Sequence, residues 1–383
     1  MTYDIEALRR EEFPWAAAGE TIFLNHASTG PLPARSVRAL EEWAHLRGNP
    51  NRIPHDLQFG TLARGRELAA RLIAADPCEI ALSTNTTYGI NLAAFSLPLK
   101  RGDVVLTPDL EFPANVYPWM ALAERRGVEY RRLPCDDGVL EVERLERELE
   151  DERVRCVSVS WVQFASGARV DLAALGALCR SRGVFFVVDA IQGVGALTLD
   201  VRTTPIDILA CGAQKWLLSP WGSGSLYVRQ PLVEQLEPHD VSWLAVRGAD
   251  DFSRLTDYEL AWRADARKFE FITLPFQDMA GMNASLELFF EIGLDEVSAH
   301  TQRLADHIAA WAVDRGDVAL VTPSSPSRRA GIVSVRPENA RGASERLTKA
   351  NVSHSLREGA IRLSPHFYNT IEELDRALAI IAR

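Results

Sequence analysis

Short apolar runs punctuate the chain, each followed by a polar or glycine-containing loop and then by residues with helical spacing. Runs at 79–82, 104–107, 128–133, 154–162, 184–188, 206–210 and 226–228 read as strands. The unbroken ones read as strands buried on both faces. Between them the pattern predicts helices over 115–126 and 171–182 and an acidic helical stretch near 141–151. Strand–helix alternation from about 79 to 228 implies a mostly parallel sheet flanked by helices. Upstream, residues 1–20 begin as a helix, 21–24 form a short strand and 25–31 a turn-rich loop. Helices are expected at 36–46 and 57–75, separated by Pro50 to Pro54. Residues 236–266 are irregular and rich in Asp, Arg and Trp: a lid, a subunit contact or plain surface loop. A strongly helical stretch at 279–292 leads to strands near 331–335 and 359–364 and a helix at 371–382.

At 383 residues the chain is long enough for two domains and a large core. Its net charge is −10, and its arginine pairs are scattered, so nucleic acid and anionic membranes are not expected partners. The first residues lack an apolar leader, and no apolar stretch approaches a membrane span. The five cysteines form no CxxC, which suggests reduced thiols and a cytoplasmic location. The eight histidines show no metal-ligand spacing, so no metal is expected.

Two residues change this picture. Asp189 ends the run 184–188, and Lys215 follows the run 206–210. Both therefore belong at the strand ends where open α/β sheets bind ligands. Pyridoxal 5'-phosphate (PLP) needs this pair: an amine to hold its aldehyde as a Schiff base, and a carboxylate to keep its ring nitrogen protonated. The plain alternative is a helix-capping Asp and a solvated Lys. The loop after 79–82 carries Thr86 and Thr87 at the start of a helix, where N–H groups and the helix dipole favour a phosphate; an ordinary N-cap reads the same way. Phe112, just past another strand end, can stack on a flat ring or plug the core. Asn25 and His26 open the small-residue loop that ends in Gly30-Pro31, whose backbone passes close to a ligand or to a packed neighbour. Arg362 lies inside the apolar run Ala360-Ile361-Arg362-Leu363 and needs an anion: a buried Asp or Glu, or a substrate carboxylate.

These motifs, above all VVDAIQGVG with GAQKWLLSPWGSGSLYV, resemble the class V aminotransferase branch of fold-type I PLP enzymes. That branch includes cysteine desulfurases, isopenicillin N epimerase-like proteins and kynureninase. The resemblance runs from Phe23-Leu24-Asn25 to Tyr368-Asn369-Thr370. It implies an α/β fold: a large PLP-binding domain over 21–270 with a mostly parallel sheet, a smaller α+β domain over 271–383, and a segment 1–20 packed on the latter. It implies Lys215 as the Schiff-base lysine, Asp189 on the pyridine nitrogen and Gln192 on the ring's phenolic oxygen. Thr86, Thr87 and Gln214 would contact the phosphate, Thr273 would reach the phosphate of a neighbouring subunit in a homodimer, and Arg362 would grip the substrate carboxylate. Asn25 and His26 would stand near the substrate. Phe112 replaces the stacking histidine of desulfurases, and the span 352–359 lacks their mobile-loop cysteine. Phe164 stands where relatives often carry Asn, a contact Gln163 could replace. The expected activity is that of an aminotransferase acting on an amino acid. Epimerisation or C–S lyase chemistry is the alternative, and a non-catalytic binding protein of the same fold is the reading from another class.

Overall fold

The computed structural model describes residues 3–135, 138–271 and 273–383. Its strands, in chain order, are β1 (Ile22–Phe23), β2 (Ile80–Ser83), β3 (Val104–Pro108), β4 (Glu129–Leu133), β5 (Val154–Ser160), β6 (Phe185–Asp189) and β7 (Ile208–Gly212). They continue with β8 (Gly224–Val228), β9 (Val318–Leu320), β10 (Val333–Pro337), β11 (Val352–Ser353), β12 (Ser355–Arg357) and β13 (Ala360–Leu363). Seven of them form the central sheet in the order β2-β8-β7-β6-β5-β3-β4. Neighbours from β7 to β4 run parallel, and β8 is antiparallel to both β7 and β2. The sheet is therefore mostly parallel, as the strand–helix alternation implies. The run expected at 154–162 leaves the sheet at Ser160, because Val162 turns to bridge Arg169.

Period-two alternation explains the burial. Leu82, Leu106, Val157, Val188 and Leu209 enter the core on one face of the sheet, while Ala81, Val105, Cys156, Val187 and Ile208 enter the core on the other. Both faces are covered by helices, so each strand can be apolar throughout. One consequence fixes the site. The parallel strands and β2 all end at the same edge, which receives the residues that follow Ser83, Pro108, Ser160, Asp189 and Gly212.

The C-terminal region adds the antiparallel sheet β12-β13-β10-β9. Two sets of contacts tie distant parts of the chain together. β1 pairs in parallel with β11, and Asn25 bridges Ser364, so the segment after residue 21 is bonded to the C-terminal region. The helix Phe276–Ile292 lies against Ala34–Arg47 and His55–Leu72, with Ser36 donating to the Gly281 carbonyl and Asn283 to that of Thr61. The N-terminal helix Ile5–Glu12, capped by Asp4, docks on residues 367–373. There Arg9 pairs with Glu373 at 2.8 Å, and Phe13 stacks on Tyr368 at 4.1 Å. No helix of the described residues is long and apolar enough to cross a membrane.

Candidate active site

Lys215 stands in a tight turn after β7. The Leu218 N–H returns to the Lys215 carbonyl, and Leu218 adopts φ 48°, a left-handed conformation that costs a side-chain-bearing residue about 1 kcal/mol or more. Neighbouring chain can approach this turn only through glycine. A Cβ on Gly30 would lie 2.2 Å from the Lys215 carbonyl oxygen, and one on Gly195 2.4 Å from that of Trp216. The neighbour that the 25–31 loop approaches is thus the lysine turn itself. The amine is partly enclosed: burial lowers its pKa to about 8, with Asp189 opposing and Arg362 and Arg357 reinforcing the shift. Asp189 is buried at the end of β6 and accepts from the Ile191 N–H at 3.1 Å. Burial raises its carboxyl to about 6, against the pull of that N–H and of Lys215. Acid and amine, 26 residues apart in sequence, are in electrostatic contact in the fold.

Polar groups gather around Gly212, next to the lysine. The Thr86 hydroxyl accepts from the Gly212 N–H at 2.9 Å. Among the described residues, Ser83 Oγ and Gln214 Oε1 are buried without hydrogen-bond partners. Thr86 and Thr87 open the helix Thr86–Ser96, whose N-cap Asn85 accepts from the Tyr88 N–H. Thr87 is exposed. Two orphaned polar atoms beside a helix N-terminus form a cradle suited to a phosphate. On the far side of the amine, Phe112 is 43% exposed, its ring centre 5.5 Å from Lys215 Nζ and T-shaped against Phe164. A flat ring could lie against it. Phosphate cradle, amine, carboxylate and aromatic face all fit PLP.

Arg362 is 2% exposed. It donates to the Phe164 carbonyl at 2.6 Å and to Ser28 Oγ at 2.8 Å, with Ser355 Oγ at 3.4 Å, while among the described residues its Nε finds no acceptor. Among the described residues no carboxylate pairs with it. Burial and nearby Arg357 lower its pKa to about 10. Asn25 works behind it: its Oδ1 accepts from Ser28 and Ser355, the serines that hold the guanidinium.

Other expected residues are placed differently. His26 is fully buried, with Nδ1 bonded to the Ser364 carbonyl at 2.7 Å and Nε2 to the Tyr368 hydroxyl at 2.9 Å. Both ring nitrogens are committed to the protein, so His26 is an interior strut and no substrate contact. The Gln192 amide lies between the Ala27 carbonyl and the Trp216 indole N–H, which leaves one amide hydrogen for any cofactor. Gln163 is buried, and its Nε2 donates to Glu111 at 3.2 Å. Thr273 is exposed on the single chain.

Burial also sets a pH dependence. The His26 pKa falls to about 3, because the buried ring resists charging. A histidine kept neutral in the fold lets the unfolded chain bind the extra proton, so its contribution is lost as pH falls below 6.5. Asp189 near 6 and Glu111 near 7 act in the opposite direction, so parent and variant must be compared. In urea titrations the stability advantage of the parent over His26→Asn is expected to shrink by about 2 kcal/mol from pH 7.5 to pH 5. Parallel pH curves would contradict this.

Comparison with known proteins agrees with the geometry. The family model described as Aminotransferase class-V matches residues 22–377. An uncharacterized aminotransferase, YcbU, of Bacillus subtilis is 31% identical over 313 residues, 82% of this chain and 81% of that protein. The isopenicillin N epimerase of Streptomyces clavuligerus is 31% identical over 368 residues, 92% of each chain. A probable cysteine desulfurase of Methanothermobacter thermautotrophicus is 29% identical over 378 residues, again 92% of each. Among solved structures, a mutant of C-DES with glycine covalently linked to its PLP cofactor superposes with a TM-score of 0.89, at 24% identity, over 100% of this chain and 99% of that one.

Proposed function

Because the chain belongs to the class V aminotransferase family of PLP-dependent enzymes, we propose that it cleaves a Cβ–S bond of an α-amino acid by β-elimination. One observation carries the reading: a buried guanidinium without a counter-ion lies within electrostatic reach of a partly buried amine. A buried cation is strongly unfavourable unless something pairs with it, and the α-carboxylate of a bound amino acid would supply the missing charge. Asp189 would stand against the ring nitrogen of PLP, Lys215 on its aldehyde, Phe112 along its face, and Ser83, Thr86, Thr87 and Gln214 around its phosphate. Bound there, the cofactor supplies an electron sink for the carbanion at Cα.

Arg362 orients the substrate, and Lys215, partly neutral at pH 7.5, takes the Cα proton. The electron pair left behind becomes the Cα=Cβ bond as sulfur departs with the electrons of the Cβ–S bond. The unsaturated amine released reacts with water to give an oxo acid and ammonia. No cysteine occupies the hairpin of β12 and β13, and Cys211, the thiol next to the lysine turn, is buried with its pKa pushed above the ordinary range. Sulfur would therefore leave with the product and would not be held by the enzyme. Transamination needs the same base, whereas epimerisation needs a proton donor on the opposite face. Phe112, which would lie on that face, cannot titrate. The similarity to isopenicillin N epimerase over 92% of both chains nonetheless favours epimerisation as the second reading. The reading includes a homodimer in which Thr273 reaches the neighbouring phosphate, and a division of the chain near residues 21 and 271.

The test is product analysis with PLP-loaded protein and a panel of amino acids including cysteine and cystine. Pyruvate and ammonia in equal amounts, with sulfur released, are expected. Inversion at Cα without pyruvate would select epimerisation, and an oxo acid formed without ammonia would select transamination.

A further inference from the structure

Glu111 is 7% exposed, and among the described residues no basic side chain pairs with it. Its Oε1 accepts from the Ser160 N–H at 2.7 Å and from Gln163 Nε2 at 3.2 Å, and its Oε2 accepts from the Ser160 hydroxyl. Ser160 is the last residue of β5 and lies opposite Asp189 in β6. The next backbone N–H, that of Trp161, bonds to the Asp189 carbonyl at 2.9 Å. Glu111 is thus tied to the strand end that flanks Asp189. Phe112 has the opposite fate. It is extended, with φ −64° and ψ 143°, and its side chain is exposed with the ring facing Lys215 Nζ. At these angles, which are those of polyproline II, successive side chains are turned by about 120° from one another. Pinning residue 111 inward therefore fixes where residue 112 points outward. An apolar side chain could fill the buried space at lower cost. What the carboxylate adds is its set of directional bonds to the end of β5.

We infer that Glu111 is a positioning residue: its bonds to Ser160 and Gln163 hold the Phe112 ring over the Lys215 amine and so set the plane against which a flat cofactor lies. This rests on the functional reading above, since it needs a planar ligand between ring and amine. Asp189 and Tyr130 are the titratable groups that face Glu111, from β6 and β4, and neither supplies a cation. The effect therefore runs through geometry. Gln at this position keeps the shape and the Oε1 acceptor, and its amide can donate to Ser160 Oγ in place of the bond it loses.

The experiment compares PLP-loaded parent, Glu111→Ala, Glu111→Gln and Ser160→Ala by visible circular dichroism of the bound cofactor and by steady-state kinetics. Glu111→Ala and Ser160→Ala are expected to weaken the cofactor's dichroic band and to lower kcat roughly tenfold, with little change in KM, and Glu111→Gln to restore both. Two results would overturn the inference: a Glu111→Ala protein with the parent's band and kcat, or a Glu111→Gln protein as impaired as Glu111→Ala. Should Glu111→Ala fail to fold, Ser160→Ala with the parent's band and kcat would overturn it equally. A parent that takes up no PLP would instead remove the functional reading beneath it, so the two failures are distinct.

Discussion

Lys215→Ala is expected to lower turnover by about 10³-fold or more while the protein stays folded. General-base catalysis alone is worth roughly 10²–10⁴-fold, and the same amine is also the group that would hold the cofactor. The fold should tolerate the change because the turn is set by the backbone. The Gly30 N–H bonds to the Gln214 carbonyl at 2.8 Å, and the Leu218 N–H to the Lys215 carbonyl at 3.2 Å. Among the described residues the side chain itself makes no salt bridge within 4.0 Å. Its partner Asp189 would lose a nearby positive charge, which raises its pKa further and leaves it neutral over more of the pH range. Turnover of the variant and parent, with a thermal melt of each, checks this. A variant within tenfold of the parent would mean that another group moves the proton.

Arg362→Met should separate binding from stability. The guanidinium makes charge-assisted bonds worth about 1.5–3 kcal/mol each. If two of them meet a substrate carboxylate, their loss of about 3–6 kcal/mol raises KM by about 10²- to 10⁴-fold. Stability should move the other way. The folded protein without substrate holds a buried cation with no carboxylate partner and an Nε with no acceptor. A buried charge without a partner is strongly unfavourable, so an apolar side chain of similar length removes a desolvation cost and is expected to be neutral or stabilising. The serines keep their bonds to Asn25, and only the Phe164 carbonyl is left wanting a donor. A higher Tm together with a raised KM is therefore the expected pair. A Tm several degrees lower with KM unchanged would show that Arg362 holds the structure together and binds nothing.

The parts of the site that follow sheet strands were legible in the sequence because one physical pattern writes them. A run of apolar residues ending in a charged or polar one marks both the strand and the edge it feeds, which is how Asp189, Lys215 and Phe112 stand out. Arg362 was legible for a related reason: a charge within an apolar strand contradicts its surroundings. Glu111 was not, because glutamate after a strand is ordinarily solvated, and its burial depends on Ser160, 49 residues further on. His26 misled for the same kind of reason. Its place in a loop of small residues is compatible with a ligand or a packed neighbour, and Ser364 and Tyr368, more than 330 residues away, are the neighbours that enclose it. The helix Leu294–Arg315 is also hard to read from the apolar pattern, since its buried face interleaves His300, Thr301 and several alanines with Val297, Leu304 and Ile308. The pairing of β1 with β11 has no local signature at all, because register between strands so far apart is decided by tertiary packing.

Every role proposed for the site requires that Lys215 be the residue to carry PLP. The direct measurement is to load the protein with PLP, reduce it with borohydride so that the lysine–cofactor bond becomes permanent, and map the modified peptide by mass spectrometry. The account predicts one modification per chain, on the peptide containing Gln214-Lys215-Trp216, and none in Lys215→Ala. A modification on Lys268, Lys100 or Lys349, or no modification while the parent remains folded, would contradict it.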